Sequence, residues 1–456
     1  METVHSFFDQ RYARVLIAFV LFACIIYLGY AVDQNDFWQM LPVFALAFCV
    51  YVLILRSNMD ALKFWIGLAV LLRVALLFGL PNLSDDVYRF IWDGRLLQNG
   101  INPFDHLPSY YLQQAILPEG INNELYQQLN SPEYYTIYPP VAQLSFYLAT
   151  WLFPNSILSS TLVMKFFLFA FECGNIYLLI RLLPKFEIAT KNALIYALNP
   201  LIVLEITGNL HFEGAMVFFL LLAVYGLKKW EEKSNSSKKI LVFSALSFAF
   251  SIASKLLPLM FLPMLIKRLG WKKSVLYFVI VGSTVLLLFL PLLSGAFLQN
   301  FGNSLDLYFR KFEFNASIYY LIRWIGFQLK GFNLIAKIGP ALALGTLLGI
   351  SILSFREKKP TIKHLPLMML FAICIYLSFT TTVHPWYISL PLVLCCFTSF
   401  RFPVLWSGLI FLTYINYSYT DYQENLWIVA VEYLLVWSYF LWELRTKFFQ
   451  RRTFST

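Results

Sequence analysis

Between Ala13 and Leu444 the chain alternates long apolar stretches with short polar breaks. Each stretch runs for about 17 to 22 residues, enough to cross roughly 30 Å of hydrocarbon as a helix. Candidate spans lie near 13–32, 38–56, 61–80, 161–182, 191–209, 212–228, 240–254, 256–267, 274–293, 333–354, 365–382, 387–400, 402–419 and 425–444. A closed barrel would alternate apolar and polar positions in roughly ten-residue segments, whereas Val275–Leu293 is apolar throughout. The pattern therefore predicts an all-α polytopic membrane protein with about 13 or 14 transmembrane helices in a single transmembrane domain over residues 1–456.

Composition agrees: 59% of the 456 residues are hydrophobic and 13% charged, which excludes an ordinary soluble domain. Cys24, Cys49, Cys173, Cys374, Cys395 and Cys396 all fall in apolar spans, as packing residues rather than a disulfide framework or zinc site. No small-residue cleavage site follows the first apolar run, which reads as an uncleaved anchor. The net charge of +10 comes from Lys and Arg in short loops, not from a continuous patch, so nucleic acid is excluded as a partner and the bilayer is the partner instead.

Those basic clusters set the orientation. Placing Arg11/Arg14, Arg56/Lys63, Arg181/Lys185/Lys191, Lys228–Lys239, Lys267–Lys273, Arg356–Lys363, Arg401 and Arg445–Arg452 inside is self-consistent. Both termini are then cytoplasmic in a plasma (inner) membrane, and residues 81–160 form a large outer, periplasmic loop with interfacial helices. Tyr138–Pro154 is expected to be interfacial or re-entrant, since a full crossing would put Arg181 and Lys185 outside. Residues 295–332 make a second outer loop, with shorter outer segments at Asp33–Phe37, Gly208–Gly214, Val383–Trp386 and Thr420–Asn425.

The densest chemistry lies just after the third span, in Ser84-Asp85-Asp86-Val87-Tyr88-Arg89-Phe90-Ile91-Trp92-Asp93-Gly94-Arg95. Ser84 as N-cap, two carboxylates in the first turn and Gly100 as a stop predict a surface helix over 85–99. Helical spacing puts Asp86, Arg89 and Asp93 on one face and pairs Asp85 with Arg89. Plain capping beside lipid phosphates would use the same letters.

Three further motifs accompany the acids: Arg89–Arg95, Gly100-Ile-Asn-Pro-Phe104 and Tyr138-Pro-Pro140. Together they resemble membrane glycosyltransferases of the type C fold (GT-C), most of all bacterial mannosyltransferases that use polyprenyl-phosphate mannose. The resemblance is strong over the loop and loose over the later spans. It implies a lipid-facing cavity under the first outer loop, a polyprenyl-phosphate donor, mannose as the sugar, and an acid just after a span as catalytic base. Asp86 matches that acid best because it precedes Val87-Tyr88, with Asp85 the near alternative.

The chemistry suits these residues on its own terms. In an inverting transfer a carboxylate takes the proton of the attacking hydroxyl while cations steady the departing phosphate. A phosphate leaving group needs no general acid, unlike glycosidase chemistry. Asp85, Asp86 and phosphate oxygens offer ligands to a divalent cation, Mg or Mn, and the motif is equally compatible with metal-free catalysis.

Other candidates flank the outer face. Asn209, His211 and Glu213 sit at a turn between two short spans, where helical-hairpin capping competes with a cavity role. Lys255 stands at the outer end of a span, against the positive-inside rule, so it suits an anion such as the donor phosphate or, by snorkelling, a headgroup. His384 suits phosphate or a sugar hydroxyl and Trp386 a sugar face, although a Trp-Tyr interface belt has the same composition. Substrate contacts are thus expected from Arg89, Asp93, Arg95, His211, Glu213, Lys255, His384 and Trp386. Arg310-Lys311 reads as a solvated charge run, and Asn315-Ala316-Ser317 as a sequon by pattern alone. Arg73, Lys165, Glu172, Glu205 and Glu432 should face the bundle, Arg73 pairing with Glu172.

The predicted activity is hexosyl transfer (mannosyl transfer by the resemblance) to a lipid-linked, lipid or protein acceptor. A transporter or flippase of lipid-linked sugars is the principal alternative. It fits less well, because the chain shows no internal repeat and its polar motifs gather at one face. A non-catalytic scaffold would leave Asp85 and Asp86 replaceable.

Overall fold

The structure is a computed structural model and describes residues 2–57, 61–234, 236–419 and 423–453; Thr420, Asp421 and Tyr422 of one expected outer segment lie outside them. Among the described residues the protein is helical, with one isolated bridge between Phe314 and Thr382. Seven helices are long and apolar enough to cross a membrane: Arg11–Tyr30, Phe37–Arg56, Ile157–Phe186, Trp271–Leu292, Ile335–Arg356, Ile362–Phe379 and Leu426–Lys447. Pro200–Gly208 and Glu213–Glu232 are long and apolar enough only as a pair, bent by 109° at its break, and counted as one broken span they bring the number to eight. Large apolar side chains such as Phe19, Trp38, Leu287, Leu347 and Leu434 stand exposed along these helices, as lipid-facing surfaces require.

The all-helical, membrane-spanning class is as expected, but the long spans are fewer than the expected 13 or 14. The remaining apolar stretches fold as shorter pieces, several of them opened by proline at the first helical positions: Pro200, Pro258, Pro263, Pro385 and Pro403. Proline suits a helix start and cannot continue one from before. Apolar length alone does not reveal such breaks.

The chain enters through α1 (Glu2–Tyr30), α2 (Phe37–Arg56) and α3 (Leu62–Ala75). The loop region that follows holds α4 (Asp86–Gln98), α5 (Pro108–Leu112), α6 (Asn123–Gln127) and α7 (Pro140–Leu152), and then α8 (Ile157–Leu182) runs back through the bundle. With 13 residues, α7 is about 20 Å long and too short to cross, as expected for Tyr138–Pro154. It lies directly on α4: a Cβ at Gly94 would stand 2.5 Å from the Phe146 carbonyl oxygen, so this crossing needs glycine. Phe90 stacks on Phe146 at 4.5 Å, and Tyr138 and Phe212 meet both rings edge-on.

The expected surface helix starts one residue late. Asp85 is the cap residue and Ser84 Oγ accepts only a 3.4 Å contact from the Asp86 N–H. The expected Asp85–Arg89 pair is not formed; Asp85 accepts from Gln34 Nε2 at 2.8 Å, while Arg89 pairs with Asp93 at 2.9 Å.

Buried charge is matched throughout. Arg73 donates through Nε and Nη2 to Glu172 Oε2 at 2.9 and 2.8 Å, with both side chains fully buried. Lys165 donates to the Leu76 carbonyl, Glu205 accepts from Tyr414, and Glu432 accepts from Trp406. Asn315 is buried and donates to Glu432, so the sequon is internal rather than an acceptor. Arg310 is half-exposed and paired with Asp306. Four of the six cysteines are buried, and all six are free.

Removing one partner of a buried pair strands the other charge. Arg73→Ala is therefore expected to destabilise the protein by about 3–5 kcal/mol. The joint Arg73→Leu/Glu172→Leu variant should cost much less, with unfolding followed in detergent micelles or nanodiscs.

Candidate functional site

The acidic pair opens onto a cavity of about 360 Å³ between the α4–α7 region and the segments 304–314, 384–387 and 414–417. Asp86 sits on its wall with its side chain 18% exposed. Its Oδ1 accepts from Asn130 Nδ2 at 2.7 Å and its Oδ2 from the Tyr138 hydroxyl at 3.3 Å. His211 Nε2 lies 3.8 Å from the same Oδ2, beyond hydrogen-bond range. Asp85 also lines the cavity but is exposed and held by Gln34 at the end of α1.

His211 reaches Asp86 because the eighth span is broken. Val203–Gly208 is a π-helical turn, and Leu210 adopts φ 64°, a left-handed conformation that non-glycine residues seldom take. This kink brings His211 beside Asp86 and Trp386, and Glu213 beside Lys255. His211 Nδ1 lies 2.9 Å from the Glu205 carbonyl oxygen and 3.2 Å from the Glu205 carboxylate. Both neighbours accept, so Nδ1 carries a proton, and the other ring nitrogen, Nε2, lies on the Asp86 side. Glu205 in turn accepts from Tyr414 at 2.6 Å and Asn209 at 3.2 Å.

Two cations line the same cavity as the carboxylates. Arg89 is 3% exposed and lines the cavity; its Nε is fixed by Asp93, its Nη1 donates to the carbonyls of Ser131 and Tyr134, and its Nη2 makes no hydrogen bond. Lys255 caps the helix Lys238–Ser254, pairs with the fully buried Glu213 at 3.0 Å and also lines an adjoining pocket of about 140 Å³ beside Tyr138 and Leu256.

His384 and Trp386 reach the cavity from the opposite side, held by the bridge in which Phe314 N–H donates to Thr381 and Val383 N–H to Phe314. Trp386 stacks on His211 at 3.7 Å and on His384 at 4.4 Å, both nearly parallel. Two rings that close cannot share one face, so both faces of Trp386 are taken. The cavity meets its edge rather than the free face that a stacked sugar would need. Phe314 closes the stack on His384 at 4.8 Å. Burial, reinforced by the nearby charges of His211 and Lys255, pushes the His384 pKa down to about 3.

Four of the expected contacts, Asp93, Arg95, His211 and Glu213, are not on the wall of the cavity. Asp93 is fully buried behind Arg89, where it accepts from Thr136 and Gln143. Arg95 turns away to the Gly120 carbonyl at 2.7 Å. The motif's spacing placed them on the right helix but could not tell the wall from its support. Other wall residues came from outside any motif: Gln34, Asn130, Tyr134 and Ser304, the last donating to Tyr135 and so tying the second loop to the first. Glu205 was readable only as a costly charge within a span.

The fit to a divalent cation is poor. Asp85 and Asp86 already accept from amide and phenol donors on different elements, and among the described residues no group of three metal-capable side chains forms.

No curated protein and no solved structure matches the chain. A family model described as "Alpha-(1->6)-mannopyranosyltransferase, N-terminal domain" matches residues 15–270, which include Asp85, Asp86, His211, Glu213 and Lys255. The match spans more than half of the sequence, and so the chain, a multi-pass helical membrane protein, belongs to this family of GT-C type mannosyltransferases and is a hexosyl-transferring enzyme.

Proposed function

We propose that this mannosyltransferase takes its sugar from a polyprenyl-phosphate donor and passes it, with inversion, to an acceptor hydroxyl at the outer membrane face. The observation that carries the proposal is that the Asp86 carboxylate, Arg89 and Lys255 line one and the same cavity. The donor phosphate is held by Lys255, with Arg89 on the same wall adding positive charge, each anchored from behind by a buried carboxylate. The pocket adjoining Lys255, walled by Leu256, Phe301 and Tyr376, suits the first units of the lipid tail.

Asp86 acts as the base. As the acceptor oxygen bonds to the anomeric carbon and the bond to the phosphate breaks, Asp86 takes the hydroxyl proton and the phosphate leaves with the electron pair. His211, oriented through Nδ1 by Glu205, stands beside this base with its Nε2 3.8 Å from the Asp86 Oδ2. The family description specifies an α-(1→6) product, so inversion calls for a β-linked donor and a primary hydroxyl as nucleophile. The acceptor is a lipid-linked glycan, a lipid or a protein that presents such a hydroxyl.

Orientation is supported by how charge is distributed. Arg56, Lys191 and Arg401 share one end of the bundle, where Lys185–Glu232, Lys363–Glu187 and Arg268–Glu357 also pair, away from the acidic pair. By the positive-inside rule that end is cytoplasmic in the plasma membrane and the cavity opens outside.

Transfer of labelled mannose from synthetic polyprenyl-phosphate mannose by purified protein is expected to fall about 10²- to 10⁴-fold in Asp86→Asn and far less in Asp85→Asn. Full turnover by Asp86→Asn would sink the assignment, and movement of donor between leaflets of a liposome without transfer would favour a flippase. In the same assay a chelator should leave the rate within about twofold, since the carboxylates are already satisfied by amide and phenol donors. With a pKa near 3, His384 is neutral at every working pH. His384→Gln should therefore leave the shape of the pH–rate profile between about pH 5 and 8 unchanged while lowering the rate about tenfold or less, whereas loss of an inflection near neutrality would contradict this.

A further inference from the structure

A hollow larger than the one beside Asp86 lies elsewhere in the bundle. It measures about 880 Å³ and lies at the far end of α2. That helix starts beside Gln34 and the acidic pair, and its 20 residues carry the chain about 30 Å to Arg56. Arg56, Lys191 and Arg401 line the hollow, and among the described residues on its wall there is no carboxylate.

The charges are unequal in their commitments. Arg401 is fixed in place, its guanidinium donating to the carbonyls of Cys395, Thr398 and Phe400. Among the described residues Arg56 and Lys191 have no ion-pair partner, although carboxylates lie nearby on the same end of the bundle, as the pairing of Lys185 with Glu232 shows. Apart from Ser57, Asn192 and Tyr439 the rest of the wall is apolar, from residues such as Val52 and Leu405 and from Trp65, whose ring is 1% exposed and whose indole N–H has no acceptor among the described residues. Concentrated positive charge above an apolar recess fits a ligand with an anionic head and a hydrocarbon tail.

We propose that this recess binds one anionic phospholipid, its headgroup phosphate between Arg56 and Lys191 and an acyl chain along Val52 and Leu405. By the orientation proposed above it belongs to the cytoplasmic leaflet, but binding itself does not depend on that orientation or on which residue is the base. A headgroup at this point bridges the end of α2 to the 191–194 turn and the 401–405 helix start, three elements that otherwise meet around open space.

The test is native mass spectrometry of the purified full-length protein titrated with phosphatidylglycerol, with phosphatidylcholine, inorganic phosphate and a short-chain polyprenyl phosphate as separate arms. Wild type should retain one phosphatidylglycerol and neither phosphatidylcholine nor inorganic phosphate. Arg56→Gln and Lys191→Gln should each weaken retention about fivefold, and the charge-keeping Arg56→Lys should preserve it. Equal retention by the double Gln variant would overturn the proposal. So would equal retention of phosphatidylcholine, or displacement of phosphatidylglycerol by polyprenyl phosphate at lower concentration. Mannosyl transfer by the double variant in phosphatidylcholine, expected within about twofold of wild type, shows that the variant is folded and keeps this result separate from the assignment of Asp86.

Discussion

A guanidinium shut away from water has to be met by a carboxylate, and the bundle is assembled around one such meeting, Arg73 with Glu172. The pair does more than cancel charge. Arg73 also donates to the carbonyls of Ala69 and Ala197, and Glu172 Oε1 accepts from Asn175 and from the Tyr196 hydroxyl. Asn175 passes on to the Gly214 carbonyl, one residue from Glu213. α3, α8, the 193–197 helix and the first turn of the helix Glu213–Glu232 are thereby locked to one another. The turn that carries His211 and Glu213 inherits its position from this network.

The same logic recurs at the cavity with a different outcome. Asp93 and Glu213 are fully buried behind Arg89 and Lys255, so each cation is held by an acid at its back and presents itself on the other side. Charges fixed in this way need little rearrangement when a new anion arrives, which is the condition under which electrostatic stabilisation is strongest. Asp86, by contrast, accepts only from neutral donors among its closest partners, Asn130 and Tyr138, which suits a group that has to exchange a proton.

Much of this was legible in the chain because the physics was local. Apolar length gave the membrane class, helical spacing gave α4 and the Arg89–Asp93 pair, and the cost of charge in lipid gave Arg73 with Glu172. What was not legible depended on distant partners. Asp85 and Arg89 are four residues apart, yet Gln34, about fifty residues upstream of Asp85, takes the carboxylate instead. Trp386 has the letters of a sugar platform, but two imidazoles from separate segments cover it. The number of long spans was overestimated because proline and the π-turn at 203–208 divide apolar stretches that hydropathy reads as continuous.

The 109° break before His211 also constrains how the protein can be made. The turn holds a carboxylate, Glu205, that hydrocarbon cannot satisfy and that takes the Tyr414 hydroxyl from more than two hundred residues downstream. During synthesis this hairpin cannot rest alone in lipid in its final shape. It must stay sheltered, or enter as a straighter helix and bend only when the C-terminal segments arrive, so the cavity beside Asp86, whose wall includes Tyr414 and Tyr417, is completed last.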